Sequence, residues 1–209
     1  KDNRINTIVI STTHNLHADQ VVKALENKKH VFVEKPLAIT LDELDAIESA
    51  YDICAGDNVL TVGFNRRFSH HVLKMKELLA SSQAPKNIVM TINAGHVRVD
   101  HWLEDHEVGG GRIIGEVCHF IDLMRFLIDA PVTEHRATMI GESPLVEVRD
   151  DKAIIVLSFS DGSVGVINYF ANGGKAFPKE RIEVFADDAV LQLNNFRELK
   201  GYGWRGFRS

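Results

Sequence analysis

A chain of 209 residues with 44% hydrophobic content is long enough to bury a substantial core, in one domain or one and a half. Its net charge of −5, from 24 basic against 29 acidic side chains with no long basic run, excludes a nucleic-acid footprint. No apolar stretch approaches the roughly 20 residues needed to span a bilayer, and the two cysteines, Cys54 and Cys118, form neither a metal motif nor a disulfide-scaffold spacing, which points to a reducing, cytoplasmic home.

In chain order, Ile5 to Ile10 reads as a buried strand, Ser11 to Asn15 as a polar turn, Leu16 to Lys28 as a helix and Val31 to Glu34 as a second strand. Strands alternating with helices of this length predict a parallel sheet. Ligands gather at the carboxyl ends of such strands. Lys35 stands there, because Pro36 disfavours the helical region for the residue before it and holds the lysine extended at the strand's end. The turn Ser11 to Asn15 falls on the same edge. Thr40-Leu-Asp-Glu43 has the form of a capping box and opens a helix with Leu41, Leu44, Ile47 and Tyr51 on one stripe, ending near Gly56. Val59 to Phe64 is a further strand, and Asn65-Arg-Arg67 emerges from its end before a helix around His70 to Ala80. The domain crossing is placed here, dividing the chain into 1–66 and 67–209.

The second part begins with an extended stretch, Asn87 to Gly95. Ala153 to Ser160 and Ser163 to Phe170, joined by Asp161-Gly162, read as a hairpin, and Arg181 to Ala186 with Val190 to Phe196 as another. A largely antiparallel sheet follows, with apolar residues on both alternations, such as Ile154 and Ile155, predicting two covered faces. Between these parts lie His101-Trp-Leu-Glu-Asp-His-Glu107 and Gly109-Gly-Gly111, where glycine frees the backbone for close approach. A helix then runs to about Asp129, and Glu116, His119 and Asp122, spaced by three, share one of its faces.

Thr13-His-Asn-Leu-His17, the Val-Phe-Val-Glu-Lys-Pro segment ending at Pro36, Val62-Gly-Phe-Asn-Arg-Arg-Phe68, and Gly109 to Gly111 followed by Cys118-His-Phe-Ile-Asp122 resemble, in this order, the NAD(P)-dependent glucose–fructose oxidoreductase/inositol dehydrogenase family (Gfo/Idh/MocA). The resemblance implies an α/β part, the second half of a Rossmann-like parallel sheet, followed by an α+β part with a mostly antiparallel sheet flanked by helices. It implies a dehydrogenase acting on a secondary alcohol of a sugar, nucleotide sugar or cyclitol with NAD or NADP, and a homo-oligomer through the antiparallel sheet. Thr12, Thr13, His14, His17, Glu34, Lys35 and Pro36 would line the cofactor, and Asn65, Arg66 and Asp122 the substrate. His119 would be the base and Lys35 would polarise the substrate oxygen. The family carries an aspartate four residues before this histidine, where Gly115 stands here. Glu116 lies about 100° further round an ideal helix and is the candidate replacement.

No strand followed by GxGxxG is present, so the chain is expected to be a fragment without the first half of its Rossmann domain, performing little chemistry alone and associating through its exposed strand edge. The choice between NAD and NADP is unreadable. Two other function classes stay open: a sugar- or cofactor-sensing regulator, and an NAD-dependent glycosidase with transient oxidation. A metal site from His96, His101, His106 and Glu116 fits no compact ligand spacing, and no metal is assigned.

Overall fold

The apolar runs flanking the first helix pair side by side. β1 (Thr7–Ile10) lies parallel to β2 (His30–Val33), with Thr7 opposite His30 and Ile10 opposite Val33, and β2 lies parallel to β3 (Leu60–Val62). The computed structural model describes residues 2–54, 58–204 and 206–207. The chain folds as two units, the first comprising Lys1–Phe64 with Asp100–Cys118, the second Asn65–Val99 with His119–Ser209.

In the first unit, α1 (His17–Glu26) and α2 (Leu41–Ile53) pack on the sheet. Val21 and Leu25 of α1 join Ile10, Val31 and Val33 of the strands and Ile47 and Ala50 of α2 in one apolar cluster. The predicted capping box forms: the Thr40 hydroxyl accepts from the Glu43 amide, and the Glu43 carboxylate accepts from the Thr40 amide, both at 3.2 Å. Such a cap contributes about 1 kcal/mol. Gly56, the expected helix end, lies outside the described residues. β1 departs from the expected fully buried strand. Successive side chains point to opposite faces, and the helices cover only one, so Val9 is 69% exposed while Ile10 is 3% exposed.

The second unit is built on a seven-stranded sheet in the order β10-β9-β8-β4-β7-β6-β5. Its strands are β4 (Asn87–Asn93), β5 (Val132–Met139), β6 (Lys152–Phe159), β7 (Val164–Phe170), β8 (Glu180–Ala186), β9 (Ala189–Asn194) and β10 (Glu198–Tyr202). β4 runs parallel to β7 and every other pair is antiparallel. Both predicted hairpins form. In the second, Asp187 and Asp188 have φ of 49° and 58°, the doubly left-handed turn that matches strand twist. β5 escaped sequence reading because it is an exposed edge strand, Val-Thr-Glu-His-Arg-Ala-Thr-Met, with no apolar alternation.

Two helices belong to this unit: α3 (His70–Leu79), capped by the Ser69 hydroxyl accepting from the Val72 amide, and α4 (Cys118–Ile128). Phe120, Leu123, Met124 and Leu127 of α4 are fully buried. Gly165 on β7 admits the helix, because a Cβ there would lie 2.0 Å from the Met124 sulfur. On the opposite alternation Ile154 is 44% exposed, so one sheet face is open in the single chain. Among the described residues no helix is long and apolar enough to cross a membrane.

Candidate active site

The first unit gathers its polar residues where the parallel strands end. Thr12 and Thr13 follow β1, and their hydroxyls bond to Gln20 at 3.3 Å and Asn15 at 2.9 Å. Glu34, Lys35 and Pro36 follow β2, with the Lys35–Pro36 peptide bond cis. The Glu34 carboxylate lies over Gly63, just past β3, where an added Cβ would sit 3.0 Å from it. His17, fully buried, ties the two turns together: its ring nitrogens lie 2.7 Å from the Pro36 carbonyl and 3.1 Å from the Thr12 carbonyl.

Lys35 reaches residues 80 positions downstream. Its ammonium donates to the Gly115 carbonyl at 2.7 Å and lies 3.4 Å from Glu116 Oε1, with the two side chains 16% and 27% exposed. The partner backbone is a π-turn, Ile113–Val117, leading directly into α4. This segment differs from the regular helix expected from the sequence, and the wider turn alters the rotation between Gly115 and Glu116 that an α-helix would impose. Single π-turns within helices are frequent at functional sites. Upstream, Gly110 and Gly111 have φ of 74° and 77°, values that side-chain-bearing residues rarely adopt.

His14 completes this cluster, and sequence reading gave it no role beyond the cofactor side. It is 6% exposed, its Nδ1 lies 2.8 Å from the Gly109 carbonyl, and its ring meets the edge of Trp102 at 4.9 Å. Burial pushes the imidazole below its ordinary pKa, the Gly109 carbonyl opposes, and the nearby Lys35 charge adds to the lowering. The signal for it in the sequence was Gly115, a small residue where a side chain was expected.

The remaining candidates belong to the second unit. His119 is 5% exposed on α4. Asn65 and Arg66 lie in a short 3-10 turn, Asn65–Phe68. The Arg66 guanidinium donates to Glu180 at 2.6 Å and rests over the Phe120 ring at 4.8 Å, while its Nε is buried without a partner among the described residues. Asp122 accepts two hydrogen bonds from Arg67. Nothing local in the sequence marks Glu180, because its partner Arg66 lies 114 residues away. Among the described residues no group of three or more His, Cys, Asp or Glu is placed to hold a metal ion.

Residues 1–64 match the model of an oxidoreductase family with an NAD-binding Rossmann fold, and residues 72–192 match the GFO/IDH/MocA C-terminal domain. The chain is 28% identical to the myo-inositol 2-dehydrogenase of Thermotoga maritima, over 95% of this chain and 59% of that protein. It is 29% identical to the scyllo-inositol 2-dehydrogenase (NAD(+)) of Bacillus subtilis, over 79% of this chain and 48% of that one. A solved levoglucosan dehydrogenase, in complex with NADH and levoglucosan, shares the fold with a TM-score of 0.82 at 24% identity, covering 99% of this chain and 59% of that one. The chain thus spans about half to three-fifths of the length of these relatives.

Proposed function

This chain belongs to the Gfo/Idh/MocA oxidoreductase family, and from that premise we propose that the whole protein reversibly oxidises a secondary alcohol of a sugar, nucleotide sugar or cyclitol with NAD or NADP. The observation that carries this reading is the Lys35 ammonium, shielded from solvent at the carboxyl end of a parallel sheet and held by the Gly115 carbonyl and Glu116. A lone solvated lysine closing a strand would have neither partner. The inositol dehydrogenase relatives support the substrate class.

The residues of the first unit fit a dinucleotide in one respect that the structure itself supplies: the turns after β1 and β2 lie on one edge, where open α/β sheets bind such ligands. Thr12, Thr13, Glu34, Lys35 and Pro36 are proposed to line it. His14 and His17 are proposed to support it from behind, since their rings are buried on backbone carbonyls. When bound, the nicotinamide supplies the hydride acceptor. His119 takes the hydroxyl proton on a ring nitrogen, an imidazole being able to move protons both ways near neutral pH. Lys35 donates a hydrogen bond to the substrate oxygen, and Glu116 balances its charge. Asn65, Arg66 and Asp122 are proposed on the substrate side; Arg66 has its Nε to offer, whereas the Asp122 carboxylate first orders Arg67.

We further propose a homo-oligomer through the open sheet face around Ile154, checked by light scattering, and a cytoplasmic home, in keeping with Cys54 and Cys118 being thiols rather than a disulfide. The deciding experiment mixes the full-length protein with NAD or NADP and a panel of inositols and sugars. Accumulation of reduced nicotinamide, read by its absorbance, supports the dehydrogenase. Product without accumulation supports the transient-oxidation glycosidase, and cofactor binding with neither overturns catalysis in favour of a sensor.

A further inference from the structure

Gly115 is held from two sides. Its carbonyl accepts from the Lys35 ammonium at 2.7 Å, and the space its missing side chain leaves is filled by His14: an added Cβ would lie 3.0 Å from His14 Cε1 and 3.4 Å from Nδ1. His14 is anchored in turn. A carbonyl only accepts, so Nδ1, 2.8 Å from the Gly109 oxygen, carries the proton of the neutral ring. One residue on, the Asn15 amide donates to the Val108 carbonyl at 3.1 Å, so two successive bonds join this turn to the 108–109 backbone.

We propose that His14 is a positioning residue for Lys35: as a neutral imidazole donating through Nδ1 to Gly109 and packed on bare Gly115, it fixes the π-turn whose carbonyl holds the lysine ammonium. Gly115 is then the small residue that lets an imidazole take the place of a side chain on the turn. The arrangement works with an uncharged ring, and burial favours that form. The groups acting on His14 are the Lys35 and His17 charges, which oppose its protonation, and Glu116, which favours it. Trp102 borders it, with His101 against the indole at 5.9 Å, and His106 lies beside Gly111. A proton on His14 would set a second cation near Lys35. The inference deepens the proposed function, because it bears on turnover only if Lys35 works in the reaction.

The test uses the full-length protein and two variants. His14→Asn keeps an N–H where Nδ1–H stood, and His14→Ala removes it. Nitrogen-15 NMR reads the His14 tautomer and its titration, and the Lys35 ammonium signal, whose slowed proton exchange reports the Gly115 bond. Wild type is expected to show the Nδ1–H tautomer, titrating below an ordinary imidazole, and a protected Lys35 signal. His14→Ala should lose that protection and on the order of a hundredfold in kcat, as displaced reacting groups do. His14→Asn should keep the protection and regain most of the rate. An Nε2–H tautomer in wild type, or a protected Lys35 signal in His14→Ala, overturns the proposal. Should His14→Ala not fold, the wild-type tautomer and the His14→Asn signal decide. The NMR outcomes hold whether or not the protein turns over any alcohol, so failure of this inference is separable from failure of the dehydrogenase reading.

Discussion

Lys35 and Gly115, 80 residues apart, are joined by a 2.7 Å hydrogen bond from the side-chain ammonium to a carbonyl of a π-turn. The bond orients a cation at the end of a parallel strand while leaving two of its three N–H donors for Glu116 and a ligand.

If Lys35 and His119 carry the proton chemistry, Lys35→Met and His119→Ala in the full-length enzyme should each lower kcat by about 10²–10⁴-fold, the usual worth of a positioned acid or base. Cofactor affinity, measured by fluorescence titration, should change little. Near-wild-type rates in either variant would reject that residue's role.

Arg66 and Glu180 form an ion pair whose side chains are 17% and 10% exposed. Removing one partner of a buried pair strands the other charge, so Arg66→Met should destabilise the second unit by about 3 kcal/mol or more in denaturant unfolding. Arg66→Met with Glu180→Gln should recover part of the loss. If both changes leave stability intact and raise only the KM for the alcohol, Arg66 serves substrate rather than fold.

Gly165 meets Met124, which is fully buried. Gly165→Ala forces the thioether aside in a filled core and should cost about 1–3 kcal/mol, measured by thermal melting. Shortening Met124 in the same chain should return some of that stability, and simple additivity of the two losses would show that the contact is not the cause.

His14 gives a pH signature. Its pKa is held down in the folded state, so below the ordinary imidazole value the unfolded chain binds the proton more readily. Its contribution is intact above that value and is lost as pH falls toward the depressed folded one. The melting temperature should therefore drop through the mildly acidic range more steeply in wild type than in His14→Asn. Parallel slopes would show that another group controls it.

The first strands and helices, the Thr40 capping box, both hairpins and the place of Lys35 were legible in the chain itself, because period, cap chemistry and turn residues act over a few positions. β5 and β10 were not: the one is a polar edge, and the other pairs only with β9 at the sheet's far end. The setting of β4 parallel to β7 was likewise invisible, since only long-range packing selects among registers. The same holds at the candidate site. Gly115 read alone looked like a missing carboxylate; in three dimensions its bare backbone is the surface on which His14 packs and to which Lys35 bonds. Residue types and local order come from short-range sterics and hydrogen bonding. Which side chain fills a space left by a distant glycine is decided only when the chain closes on itself.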